Sequence, residues 1–174
     1  MHNSIIRVAL VAAVIYSLIS PASAFAQSGG KHQAPGFTLP GQNQTIRLSN
    51  YKGKVVYLDF WASWCVPCRR SFPWLNAMHE KYSDDGLVII GVNLDMERAD
   101  AQRFLAEYPA DFAIVYDEDQ ALARAYEVVA MPSSYVIGRD GQLAARHMGF
   151  KVKQQDEYEA LLVEALQKPG NDHE

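Results

Sequence analysis

Residues Val55 to Phe60 form a near-continuous apolar run that leads, after a short loop, into Trp64-Cys65-Val66-Pro67-Cys68. This junction constrains the fold more than any other stretch of the chain. A short apolar run without alternation suits a strand covered on both faces, which belongs in the middle of a parallel or mixed sheet. The residues after it read as a helix from Cys65 to about Tyr82. Phe72, Leu75, Met78 and His79 share one side of that helix, and Pro73 predicts a kink. The first turn of such a helix carries unpaired N–H groups and a partial positive charge. A thiolate at Cys65 would be stabilised there. Cys68 falls one turn later on the same face, and Pro67 suits a first-turn position because its missing N–H costs nothing. These are the only two cysteines in the chain. A bridge between them closes too small a loop to staple a fold, so their placement favours chemistry over scaffolding.

The remaining pattern builds a sheet around that strand. Phe37-Thr38-Leu39 and Thr45-Ile46-Arg47-Leu48 alternate on either side of Pro40-Gly41-Gln42-Asn43, which predicts a small hairpin ahead of the main domain. Asp84-Asp85-Gly86 makes a turn, and Leu87 to Leu94 is a second buried strand. Arg98 to Glu107 is amphipathic, with Ala101, Phe104 and Leu105 on one side. Phe112 to Tyr116 reads as a short strand and Gln120 to Tyr126 as a short helix. Ser134 to Ile137 is a third main strand, Arg139-Asp140-Gly141-Gln142 a hairpin turn, and Leu143 to Phe150 the returning strand. Asp156 to Gln167 is a final helix with Tyr158, Leu161, Leu162, Ala165 and Leu166 as its apolar face. Early crossovers imply parallel strands and the late hairpin an antiparallel pair. The expected class is α/β, a mixed central sheet with helices on both faces.

The N-terminus reads differently. Arg7 precedes an almost wholly apolar stretch from Val8 to Ile19. Pro21 breaks it, and Ala22-Ser23-Ala24 or Ala24-Phe25-Ala26 offers small residues at cleavage-site spacing. Residues 1–26 therefore read as a secretory signal peptide or, uncleaved, as an N-terminal anchor, although the run is short against the roughly 20 residues a bilayer span needs. No cysteine lies there to carry a lipid. Residues 27–33 read as a linker, 34–168 as the domain and 169–174 as a flexible tail. The chain has 174 residues, 49% of them hydrophobic, and a formal net charge of -4. That is enough apolar material for a core, and the acidic balance argues against a nucleic-acid partner. Arg69-Arg70 reads as a solvated helix face.

Asp59 to Cys68, DFWASWCVPC, resembles the active-site strand and loop of the thioredoxin superfamily. Pro73, five residues after Cys68, matches that family's helix proline, and Met131-Pro132 stands where the family has its cis-proline. The N-terminal hairpin, the insertion around Arg98 to Tyr126 and the signal-like segment are similar to the bacterial TlpA/ResA/DsbE-like branch. The resemblance covers residues 34–167. It implies a thioredoxin fold and a Cys65–Cys68 disulfide exchanged with partner proteins. Cys65 would be the exposed nucleophile, Cys68 the resolving thiol, and Asp59 a buried carboxylate assisting proton transfer at Cys68. Pro132 would dock a partner's extended segment, with Trp64, Val66, Pro67 and Met131 on the partner-binding surface. No cofactor is implied. The resemblance also implies protein disulfides as substrates, a membrane electron donor of DsbD or CcdA type, a periplasmic or other extracytoplasmic location, and a monomer.

Two positions depart from the pattern. The family's lysine opposite the buried aspartate is replaced by Gly91, so desolvation should raise the Asp59 pKa. Haem-maturation members often carry a glutamate three residues after the second cysteine, where this chain has Ser71.

Other readings of the same residues stand beside this one. A closed zinc site needs four ligands, and His79 and His147 do not stand at paired-finger spacing. A copper-handling role suits soft thiolates, although Sco-like copper proteins use a wider cysteine spacing. A peroxiredoxin-like peroxidase is suggested by Ala34-Pro35-Gly36-Phe37 and Lys54-Val55-Val56, but its loop needs a proline and a hydroxyl where this chain has Leu58 and Ala62. A domain that binds redox partners without turnover usually lacks one of the two cysteines. Trp61 and Trp74 read equally as packing or surface residues and as partner contacts, and His147 as an exposed sheet residue. Asp95, Glu97 and Asp100 read as a solvated loop and helix start.

Overall fold

A computed structural model describes residues 32–170. The predicted signal peptide (1–26), most of the predicted linker and the last residues of the predicted tail lie outside the described residues.

A five-stranded mixed sheet forms the centre of the molecule, in the order β5-β4-β3-β6-β7. Strand β3, Val55–Trp61, is the apolar run, and every one of its residues is buried. It pairs in parallel with β4, Leu87–Asn93, and antiparallel with β6, Ser133–Ile137. Beyond β4 lies β5, Ala113–Tyr116, in parallel; beyond β6 lies β7, Leu143–Met148, antiparallel. The helices are α1, Val66–Tyr82; α2, Arg98–Glu107; α3, Ala121–Ala125; and α4, Gln155–Gln167.

Alternation along β3 divides the core in two. Val55, Tyr57 and Trp61 point into a cluster with α1, α2 and α4, which contribute Phe72, Trp74, Leu75, Phe104, Tyr158 and Leu162 among others. Val56, Leu58 and Phe60 point into a second cluster with Leu122, Ala123, Tyr126 and Ile46. Burial on both faces is why the strand carries almost no polar residue; Asp59 is the exception.

The predicted N-terminal hairpin forms from β1, Thr38–Pro40, and β2, Thr45–Arg47. It reaches the exposed side of β5, where Gly41 bridges Val115 and Gln42 N donates to Ile114 O. The hairpin thus covers part of an edge that would otherwise present unpaired backbone groups. A Cβ at Gly41 would stand 2.6 Å from Gln44 O, so the close turn needs glycine there.

Three expectations change. The last sheet strand ends at Met148 rather than Phe150, because Gly149 adopts φ +73 and turns the chain, its N–H bonding Pro132 O. Asp95 is not solvated but buried at the end of β4. His147 is half-buried and stacked on Tyr158 at 4.3 Å, not exposed. Trp61 and Trp74 are both core residues, and Trp74 widens the buried face of α1 by packing on Tyr57, Phe150 and Tyr158.

Candidate active site

The site lies where β3 hands over to α1. Cys65 is the N-cap of α1, in an extended conformation, and its Sγ accepts a hydrogen bond from Cys68 N at 3.2 Å. A sulfur therefore occupies the place where a cap normally puts oxygen, at the positive end of the helix. Pro67 sits in the first helical turn, where a missing N–H leaves nothing unpaired. Cys65 and Cys68 are joined as a disulfide with Cα atoms 5.3 Å apart. One correction follows for the oxidised state. Cys65, expected exposed, is 3% exposed when bonded to the fully buried Cys68.

The surroundings are asymmetric. Trp64 and Val66 are the exposed members, at 67% and 58%. The Met131–Pro132 peptide bond is cis, with Pro132 buried and Met131 half-buried. Register pairs Phe60 with Ser133, which sets Pro132 level with Trp61 at the end of the sheet where α1 begins. Arg69 and Arg70 are exposed on α1, as expected. Ser71 is buried and donates to Cys68 O.

Asp59 is 1% exposed and shares its face of β3 with Tyr57 and Trp61, the face covered by the helix that carries the cysteines. Its cross-strand neighbours are Gly91 and Ser134. Ser134 Oγ donates to Oδ1 at 2.6 Å, while Oδ2 has no partner among the described residues. Burial pushes the Asp59 pKa up to about 7, against a smaller lowering by the Ser134 bond. No lysine could answer it from position 91, because a Cβ there would stand 2.8 Å from Ile114 Cδ1 and 3.1 Å from both Phe112 Cε2 and Trp61 Nε1.

Sequence reasoning missed two features of this region. Asp95 accepts from Ser63 N at 3.0 Å, Ser63 Oγ at 2.9 Å and Asn93 Nδ2 at 2.7 Å, which pins the loop just ahead of Trp64 and Cys65. Its neighbour Met96 is 80% exposed. The other is the polar row of Ser134, Tyr57 and His147 behind Asp59. Neither carries a local signal, because, Asn93 apart, the partners stand 32 to 90 residues from one another in the chain. Leu58 and Ala62, at the peroxidase positions, are fully buried and supply no hydroxyl. Among the described residues, no group of three or more His, Cys, Asp or Glu could hold a metal ion.

Residues 31–146 match the AhpC/TSA family. The thiol-disulfide oxidoreductase ResA of Bacillus subtilis is 31% identical over 140 residues, covering 79% of this chain and 78% of ResA. ResA of Bacillus thuringiensis is 31% identical over 128 residues, with 72% of this chain and 74% of that protein covered. A Chlorobium tepidum crystal structure described as a thiol:disulfide interchange protein DsbE superposes with a TM-score of 0.77 at 44% identity, covering 78% of this chain and 96% of that one. The cysteine pair at the head of α1 and these likenesses agree: the chain belongs to the AhpC/TSA family of thioredoxin-like proteins and is a thiol-disulfide oxidoreductase of the ResA/DsbE-like kind.

Proposed function

We propose that the chain reduces disulfides of partner proteins in an extracytoplasmic compartment. The observation that carries the direction is that the residues between the cysteines add nothing to what the helix end already gives a thiolate at Cys65. Among the described residues its sulfur receives the Cys68 N–H. Pro67 has no N–H to add, and Val66 offers an exposed hydrocarbon. A strong oxidant needs its reduced form specially stabilised, and this loop does little of that.

The catalytic sequence then assigns roles. The Cys65 thiolate attacks a partner disulfide, forming a mixed disulfide and releasing one partner thiolate. Cys68 gives its proton to Asp59 and attacks Cys65 Sγ, releasing the second partner thiolate and leaving the Cys65–Cys68 disulfide. Asp59 is suited to the proton because a carboxyl titrating at about 7 can both take and return it near neutral pH. Trp64, Val66, Pro67, Met131 and Met96 form the apolar surface that meets the partner, with Pro132 beside the sulfurs to align its extended segment. A membrane electron donor of DsbD or CcdA type resets the dithiol, and the protein acts as a monomer. The signal-like residues 1–26 support the compartment.

The reduction potential of the Cys65–Cys68 pair, measured by equilibration with glutathione or dithiothreitol, tests the direction. A value below about -220 mV is expected. A value near about -120 mV would make the protein a disulfide-forming oxidant instead.

A further inference from the structure

A polar row crosses three strands on an otherwise apolar face of the sheet. Asp59 on β3 pairs in register with Ser134 on β6, and Ser134 pairs with His147 on β7. Ser134 Oγ donates to Asp59 Oδ1 at 2.6 Å. Tyr57, two residues before Asp59 and on the same face, places its hydroxyl 2.6 Å from His147 Nε2. Ser134 also stands near enough to the Tyr57 phenol to pull its pKa down slightly against the larger effect of burial. Asp59, Ser134 and Tyr57 are each 1% exposed. His147 is half-buried on the edge strand, its ring stacked on Tyr158 and its Nδ1 facing Gly149 O at 3.4 Å. One end of the row is therefore a carboxyl with an oxygen unpartnered among the described residues, and the other is an imidazole at the rim of the fold.

We propose that Ser134, Tyr57 and His147 carry protons between the buried Asp59 carboxyl and solvent, so that Asp59 is reset after each exchange at Cys68. The inference rests on the reading of Asp59 as the proton acceptor for Cys68. In the outward direction Asp59 gives the proton on Oδ1 to Ser134 Oγ. Ser134 gives its own to the Tyr57 oxygen, and Tyr57 gives its own to His147 Nε2. Asp59 ends as carboxylate and His147 as imidazolium, which releases the Nδ1 proton to solvent. Each hydroxyl gains one proton and loses one, so neither is ever charged. The titrations fit this use. Burial lowers the His147 pKa, partly offset by the Gly149 carbonyl, so the imidazolium gives up its proton readily. Burial also lifts Tyr57 well above its ordinary range, so it serves as a neutral hydroxyl. Besides its own members, the row is faced by Tyr158 from α4, and Cys68 from α1 belongs to the core cluster on the same side of the sheet.

The test is the rate at which dithiothreitol reduces the Cys65–Cys68 disulfide of the full chain, followed by tryptophan fluorescence from pH 6 to 9 in dilute buffer. Asp59→Asn, His147→Ala and Tyr57→Phe are compared, with and without added imidazole. Asp59→Asn should lose about 10²-fold, the lower end of what acid–base catalysis contributes. His147→Ala should lose less, roughly tenfold, with imidazole restoring most of it by occupying the slot beside Tyr158. Tyr57→Phe should be slowed similarly, without rescue. A His147→Ala protein that is as fast as the parent, or slow but not restored by imidazole, overturns the proton path while leaving Asp59 in place. An Asp59→Asn protein with unaltered rate and pH profile overturns the Asp59 reading itself, and the path with it.

Discussion

Asp59 holds a carboxyl group in the middle of a sheet, and its stability consequence has a definite sign. Its folded pKa of about 7 stands above the ordinary carboxylate value of 3.8. The folded state therefore holds a proton that the unfolded chain has lost between those values. Its contribution is fully present below about pH 4 and disappears as pH rises through about 7. Above that range, burying the carboxylate costs on the order of 4 kcal/mol, taking 1.36 kcal/mol per pKa unit. Urea unfolding of the oxidised protein should show it losing stability between pH 5 and 8. Asp59→Asn should flatten that dependence and be the more stable protein at pH 8. Asp95 is also buried, but with its hydrogen-bond donors supplied. Asp95→Ala leaves Ser63 N, Ser63 Oγ and Asn93 Nδ2 unanswered and should cost about 3 kcal/mol by chemical denaturation.

At the level of elements, the close approach of β4 to its neighbours explains why no basic side chain meets Asp59 from that strand. Gly91 lies opposite it, and the volume a side chain would need is already held by Ile114, Phe112 and Trp61. Gly91→Ala should destabilise by about 1–3 kcal/mol through overpacking, measured by thermal or urea unfolding. The end of α3 carries a different kind of strain. Tyr126 closes the helix, and Glu127 follows at φ 53 with Val128 N bonded back to Ala123 O, an arrangement that usually takes glycine. Glu127→Gly should gain up to about 1 kcal/mol, since the left-handed conformation costs a residue with a Cβ that much or more.

For the molecule as a whole, the direction of electron flow is also a stability statement. The disulfide closes a very small loop, worth about 2 kcal/mol on chain entropy alone. With only the helix end and the Cys68 N–H to stabilise a Cys65 thiolate among the described residues, the oxidised protein should unfold at higher urea than the reduced one. The reverse order marks an oxidant, whose reduced form is the stabilised one.

Local patterning in the chain was enough to read the elements and the cysteine chemistry. The unbroken apolar run of β3, the period of α2 and α4, the turn at Asp140-Gly141 and the cysteine spacing are all local signals, because periodicity and turn preference act between near neighbours. Even the burial of Asp59 was legible, from the apolar residues on either side of it. What those residues meet depends on how the strands are assembled. Ser134 reaches Asp59 across 75 residues and His147 reaches Tyr57 across 90, distances set by strand order and register and by nothing within either segment. Asp95 looked like loop charge for the same reason: what buries it is the Ser63 turn, 32 residues earlier in the chain. A hydrogen bond between distant segments leaves no periodic trace, so the cysteine pair could be read from the chain, while the polar groups buried on the same side of the sheet emerged only once it was assembled.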